Sequence, residues 1–133
     1  MMKKRILIID DEKDFCRVVK LNLERTKHYE VLFATDGRSG MEIARKQSPD
    51  LILLDIRMPG MSGGEIAEEL LDDPSTGNIP IIFLTALVKK DEVARQSGYI
   101  SGHPFIAKPV TAQDLIKRIE EEMNVIGEKT RDS

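Results

Sequence analysis

The sequence predicts an α/β domain built on a doubly wound, five-stranded parallel sheet, and three observations carry that expectation. Five short apolar runs, at residues 6–9, 29–34, 51–54, 81–84 and 105–107, have the length and the content of β-branched residues and leucine expected of strands. The runs alternate with stretches in which apolar residues recur at helical spacing, the rhythm of repeated βα units. Finally, 133 residues, 41% hydrophobic and 32% charged, make one globular domain of ordinary size and leave no room for a second.

The first run is apolar without alternation, as in a parallel strand covered on both faces. Residues 10–13 then turn polar, and Phe15, Val18, Val19 and Leu23 mark the crossover helix, which extends to Thr26. Residues 29–34 are the second strand, Asp36 and Gly37 a turn, and 39–47 a helix burying Met41, Ile43 and Ala44, punctuated by Pro49. Residues 51–54 are the most apolar strand and end on Asp55, before a loop of Met58, Pro59 and Gly60. Ser62 with Glu65 is a capping-box signature for a helix reaching Leu71. Residues 72–80 carry two prolines and read as a surface loop. The fourth strand, 81–84, ends on Thr85, and 90–96 form a short polar helix closed by Gly98. Residues 97–104 are the least regular part. The brief fifth strand, 105–107, ends at Lys108 and Pro109, and Thr111 and Asp114 cap a last helix carrying Leu115, Ile116, Ile119 and Met123. The domain is expected over 1–127, with 128–133 a frayed, charged tail.

Charge and composition narrow the partners. Twenty basic residues against 23 acidic ones give a formal net charge of −3, with no basic stretch to follow a polyanion, so no direct nucleic-acid binding is expected. The single cysteine, Cys16, excludes an internal disulfide and a metal site of clustered thiols. Apolar runs of strand length imply no membrane insertion. Lys3, Lys4 and Arg5 lead into the first strand without a signal-peptide hydrophobic region, and a cytoplasmic setting is expected.

Ligand chemistry in doubly wound sheets sits outside the carboxyl ends of the strands. There the sequence places Asp10, Asp11 and Glu12 after strand one, Asp55 after strand three, Thr85 after strand four and Lys108 after strand five. Each alone has an ordinary use, an acid as a helix cap, a threonine in a strand, a lysine in solvent. Their joint placement at one rim is what points to a site. Two unit charges about 4 Å apart repel by roughly 4 kcal/mol at an effective dielectric of about 20, so clustered carboxylates need an offset. Lys108 neutralises only part of the charge, and an oxygen-lined acidic site suits a hard divalent cation such as Mg²⁺. Such a cation would bring a phosphoryl group to Asp55, which could attack it as a nucleophile, with Thr85 and Lys108 on the transferred oxygens.

These residues resemble the response-regulator receiver domain, and the chain is similar to single-domain chemotaxis and sporulation-relay regulators over residues 4–125. The matching elements are the Asp10–Asp11 pair, the segment DIRMPGMSG at 55–63, Thr85 with Ala86, and Lys108 with Pro109. The resemblance implies a flavodoxin-like (βα)5 sandwich with strand order 2-1-3-4-5. It makes Asp55 the phosphoacceptor, Asp11 a direct Mg²⁺ ligand, Asp10 a ligand chiefly through water, and the backbone carbonyl of Arg57 a further ligand. Lys108 would pair with the phosphoryl group, the bond before Pro109 would be cis, Thr85 would swing toward the phosphate, and Phe105 would change rotamer between exposed and inward positions. The expected function is two-component phosphorelay signalling by a switch, not an enzyme, that assists its own phosphorylation and dephosphorylation. The phosphoryl group would come from a histidine kinase or histidine phosphotransfer protein, and a downstream protein target would read the surface of the fourth helix, fifth strand and fifth helix.

Two departures fall on that output surface. The segment SGYISGHP at 97–104 replaces a shorter Gly-Ala-Asp-type segment, and Val110 replaces an aromatic residue. A flavodoxin-like cofactor carrier conflicts with the acids Asp10, Asp11, Glu12 and Asp14 where a phosphate would be cradled. A haloacid-dehalogenase-type phosphatase would carry its nucleophile after strand one in a DxD arrangement. A receiver fragment of a larger regulator or hybrid histidine kinase, and a phosphorylation-independent adaptor, remain the other readings. His103 is expected to be a solvent-exposed spacer, His28 to favour the first helix's C-terminal dipole, and Cys16 to be a partly buried inert thiol. Asn22 stands where an apolar residue is expected.

Overall fold

In a computed structural model the residues described are 3–86, 99–100, 103–108 and 110–132. The strands are β1 (Lys4–Ile9), β2 (Tyr29–Ala34), β3 (Leu51–Asp55), β4 (Ile81–Thr85), β5 (Tyr99–Ile100) and β6 (His103–Ala107). The helices among the described residues are α1 (Lys13–Arg25), α2 (Gly37–Gln47), α3 (Gly63–Asp72) and α4 (Ala112–Asp132). The helix expected over 90–96 and the bond before Pro109 lie outside the described residues.

The apolar runs pair as read. The sheet order is β2-β1-β3-β4-β6-β5, and every pairing from β2 to β6 is parallel. Counting the parallel strands alone, this is the expected 2-1-3-4-5. The addition is β5, a two-residue strand antiparallel to β6 with Tyr99 opposite Pro104 and Ile100 opposite His103. It corrects part of the expectation that 97–104 is irregular.

Side-chain alternation along the strands feeds two cores. Ile6, Ile8, Leu51, Leu53, Ile82 and Leu84 face α1 and α4, meeting Cys16, Val19, Leu23, Leu115 and Ile119. Leu7, Ile9, Ile52, Leu54, Phe83 and Phe105 face α2 and α3, meeting Met41, Ala44, Ile66 and Leu70. Each fully buried Leu or Ile contributes about 1.5–3 kcal/mol of apolar transfer, so both faces hold the strands in one register. Fixed register is what brings the strand ends level: Leu54 lies opposite Phe83 and Asp55 opposite Leu84, while Thr85 lies opposite Ala107.

Candidate functional site

The site grows from where the apolar runs stop. Asp10 follows β1 and continues its ladder, its N–H donating to the Ala34 carbonyl at 3.1 Å. Its side chain has no solvent exposure, and Oδ1 accepts the Glu12 N–H at 2.9 Å. Asp55 is the last residue of β3, 6% exposed, with Oδ1 accepting the Arg57 N–H at 3.2 Å. Asp11 stands exposed beside them, and one carboxylate oxygen from each of Asp10, Asp11 and Asp55 lies within 4.8 Å of the others.

The loop from β3 to α3 pins Asp55 through two glycines. Gly60 has φ +85, a conformation that L side chains rarely adopt. The Gly63 N–H donates to the Ile56 carbonyl at 2.8 Å, and a Cβ at 63 would lie 2.4 Å from the Asp55 carbonyl oxygen. Only glycine lets the start of α3 close on the end of β3. Ser62 then caps α3, its hydroxyl accepting the Glu65 N–H at 3.2 Å.

Thr85, buried at the end of β4, accepts the Lys108 N–H on its carbonyl at 2.8 Å. That bond turns the chain after β6 so that the Lys108 side chain runs across the site. Its Nζ donates to Asp10 Oδ2 at 2.6 Å and to Glu12 Oε1 at 3.0 Å, and it lies 4.4 Å from the centroid of the Phe15 ring.

The electrostatics follow from burial. Desolvation pushes the Asp55 carboxyl up to about 6, against the opposing Arg57 N–H; the Asp10 charge and a hydrogen bond with Asp11 push it further, and the Lys108 charge resists. Burial alone would lower Lys108, but its hydrogen bonds to Asp10 and Glu12 outweigh that and its pKa is raised, so the ammonium stays charged. Cys16, buried one turn into α1, donates its thiol to the Asp10 carbonyl at 3.4 Å. Its pKa is pushed up to about 12 by burial and by the Asp10 charge. The cluster thus offers oxygen donors, two buried and one open to solvent, with an excess of negative charge.

The structure brings Asp10, Asp11, Asp55, Thr85 and Lys108 to one rim, as the sequence placed them. The Lys108 side chain is 9% exposed, because two acids and an aromatic ring enclose it. Two expectations need correction. His103 is half-buried rather than a solvent spacer, its ring edge packed on Phe83 at 5.4 Å between centroids. Cys16 is fully buried. Phe105 is held inward at 5% exposure. Sequence reasoning missed Glu12 and Phe15 as partners of Lys108. Both were visible as residues, but a contact across 96 positions has no signature in local spacing.

Comparison with known proteins agrees with this geometry. Residues 6–120 match the response regulator receiver domain. Response regulator PleD of Caulobacter vibrioides is 38% identical over 119 residues, which are 89% of this chain and 26% of PleD. The chain therefore spans about a quarter of the length of the curated relatives it matches. Among solved structures, a CheY-like receiver domain protein from Methanospirillum hungatei is similar at a TM-score of 0.81 and 27% identity, covering 96% of this chain and 99% of that one. The chemotaxis response regulator CheY4 of Vibrio cholerae is similar at 0.78 and 27% identity, covering 90% and 98%. No helix among the described residues is long and apolar enough to cross a membrane. Motif, sheet order and sequence match converge, and the chain belongs to the response regulator receiver domain family, the signalling switches of two-component systems.

Proposed function

We propose that this receiver domain takes a phosphoryl group onto Asp55 from a phosphohistidine on a histidine kinase or histidine phosphotransfer protein, and that the reaction requires Mg²⁺. The observation that carries this reading is the convergence of Asp10, Asp11 and Asp55 within 4.8 Å beside the Lys108 ammonium. The donor set suits Mg²⁺, since it consists of carboxylate oxygens, and the upward shift of Asp55 is the strain that a cation relieves. Asp10, Asp11, Asp55 and the Arg57 carbonyl would hold the ion. When bound, it supplies positive charge against which an anionic phosphoryl group can approach a carboxylate.

In the transfer, an Asp55 oxygen forms the bond to phosphorus as the bond to the donor imidazole nitrogen breaks, and the electron pair leaves with the imidazole. Lys108 supplies a charge-assisted hydrogen bond to the phosphoryl oxygens, and the Thr85 hydroxyl turns toward them. Because the Phe105 ring is already inward, phosphorylation acts by favouring that arrangement over an outward one. The change reaches a protein target through β6, α4 and the segment before β5.

The reading is tested by incubation with acetyl phosphate and intact-mass measurement. One added phosphoryl group is expected on the wild type with Mg²⁺, and none with a chelator or in Asp55→Asn. Equal labelling of Asp55→Asn removes Asp55 from the role.

A further inference from the structure

We infer that Glu12 is a positioning residue for Lys108: it holds the ammonium on the β1–α1 side of the site and competes for it with oxygens bound at Asp55. The inference rests on the phosphoacceptor reading above and adds to it a residue that sets how readily Lys108 is released.

Glu12 occupies the N-cap position of α1, where the helix dipole favours its negative charge but its long side chain makes no cap hydrogen bond. Its carboxylate turns outward instead and accepts from Lys108 Nζ at 3.0 Å. The backbone of the same residue donates to Asp10 Oδ1 at 2.9 Å, while Asp10 Oδ2 accepts from the same ammonium at 2.6 Å. Glu12, Asp10 and Lys108 therefore close a ring of three hydrogen bonds, with the Phe15 ring 4.4 Å from Nζ. Both hydrogen bonds of the ammonium land on the β1–α1 loop, and Asp55 feels Lys108 as a nearby positive charge.

The two carboxylates that hold Lys108 differ in kind. Asp10 is fully buried and belongs to the acidic cluster, so its hold weakens when a cation shares that charge. The Glu12 side chain is 63% exposed and lies outside the cluster of three acids. Its pull on Lys108 persists when the cluster is neutralised, and it is weak enough to be broken, because an ion pair open to water carries a factor of roughly five at most. A competitor of that strength tunes the transfer of Lys108 to an incoming anion without preventing it. Lysine suits the task, since its flexible stem lets a compact charge move between acceptors.

The test is a titration with beryllofluoride in saturating Mg²⁺, followed by backbone amide shifts. It uses wild type, Glu12→Gln, Lys108→Met, the double variant of these two, and Asp55→Asn as the control without a site. Glu12→Gln should bind beryllofluoride roughly two- to fivefold more tightly than wild type, the factor one exposed ion pair carries. In the Lys108→Met background the same change should have no effect, because the competitor then has nothing to hold. Equal affinity of wild type and Glu12→Gln overturns the inference. So does a gain that survives in the Lys108→Met background, which would make Glu12 a bare negative charge acting directly on the anion. Absence of binding by the wild type itself overturns the phosphoacceptor reading as well, and is distinguished from the first two results by that fact.

Discussion

Cys16 shows how a single residue near the site is silenced by its surroundings. Its sulfur is enclosed in the core between β1 and α1, and the nearby Asp10 charge disfavours a second anion. A thiol pushed from 9.0 up to about 12 carries roughly a thousandfold less thiolate at neutral pH, and thiolate is the reactive form. Native protein should therefore react with a thiol-disulfide reagent slower than urea-unfolded protein by at least that order; comparable rates would contradict the burial. An inert, partly buried thiol was legible in the sequence, but its full burial was not. The stripe read there ran through Phe15, Val18, Val19 and Leu23, whereas α1 turns Cys16, Val19 and Leu23 inward and leaves Val18 exposed. Its bond to the Asp10 carbonyl was not legible either, since backbone acceptors leave no trace in spacing. Asn22 is explained by the same kind of contact: its side-chain amide donates to the Val18 carbonyl one turn back at 2.8 Å, so the polar group is satisfied within its own helix. His103 was misread because a histidine before a proline looks like a loop, whereas pairing with β5 extends the strand to include it.

Elements were legible where a local rule defines them. The Ser62 cap of α3 and the Thr111 cap of α4 both form, the latter through the Asp114 N–H at 3.1 Å, because a cap needs residues only three apart. Strand β5 was missed because two residues cannot display a period. The outer edge of β2 was likewise invisible, and it carries a device of its own. Lys20 and Glu24, one turn apart on α1, reach over that edge: Lys20 Nζ donates to the Val31 carbonyl at 2.8 Å, and the Val31 N–H donates to Glu24 Oε2 at 3.1 Å. The two also pair with each other at 3.3 Å. An open strand edge invites pairing with another chain, and here both backbone groups of Val31 are taken. Glu24→Ala should cost about 1 kcal/mol in urea denaturation and speed hydrogen exchange at the Val31 amide selectively. An unchanged exchange rate at Val31 would show that the contact does not persist in solution.

At the scale of the molecule, the fold's stability and the site's chemistry oppose each other. The two-sided core holds β1, β3 and β4 in register, and that register buries Asp10 and Asp55 side by side, where desolvation disfavours the negative charge of Asp55. The convergence of these strand ends was readable from the sequence, because apolar runs ending in acids define both the sheet and its rim. The direction taken by Lys108 was not, since it depends on which of several acids lies nearest after folding. The folded-state pKa of Asp55 is raised, so its protonated form favours folding at low pH and that contribution is lost as pH rises through about 6. In metal-free buffer at pH 7, Asp55→Asn should accordingly be more stable than wild type, by on the order of 1–3 kcal/mol, and the difference should vanish below about pH 4. Equal stability of the two at pH 7 would contradict it. The central claim is that burial makes Asp55 a carboxylate that requires a cation. A carbon-13 carboxyl titration of Asp55, with and without saturating Mg²⁺, tests it most directly. The account predicts a midpoint near 6 without the ion and a clear downward shift with it; a midpoint near the ordinary 3.8 that Mg²⁺ leaves unmoved would contradict it.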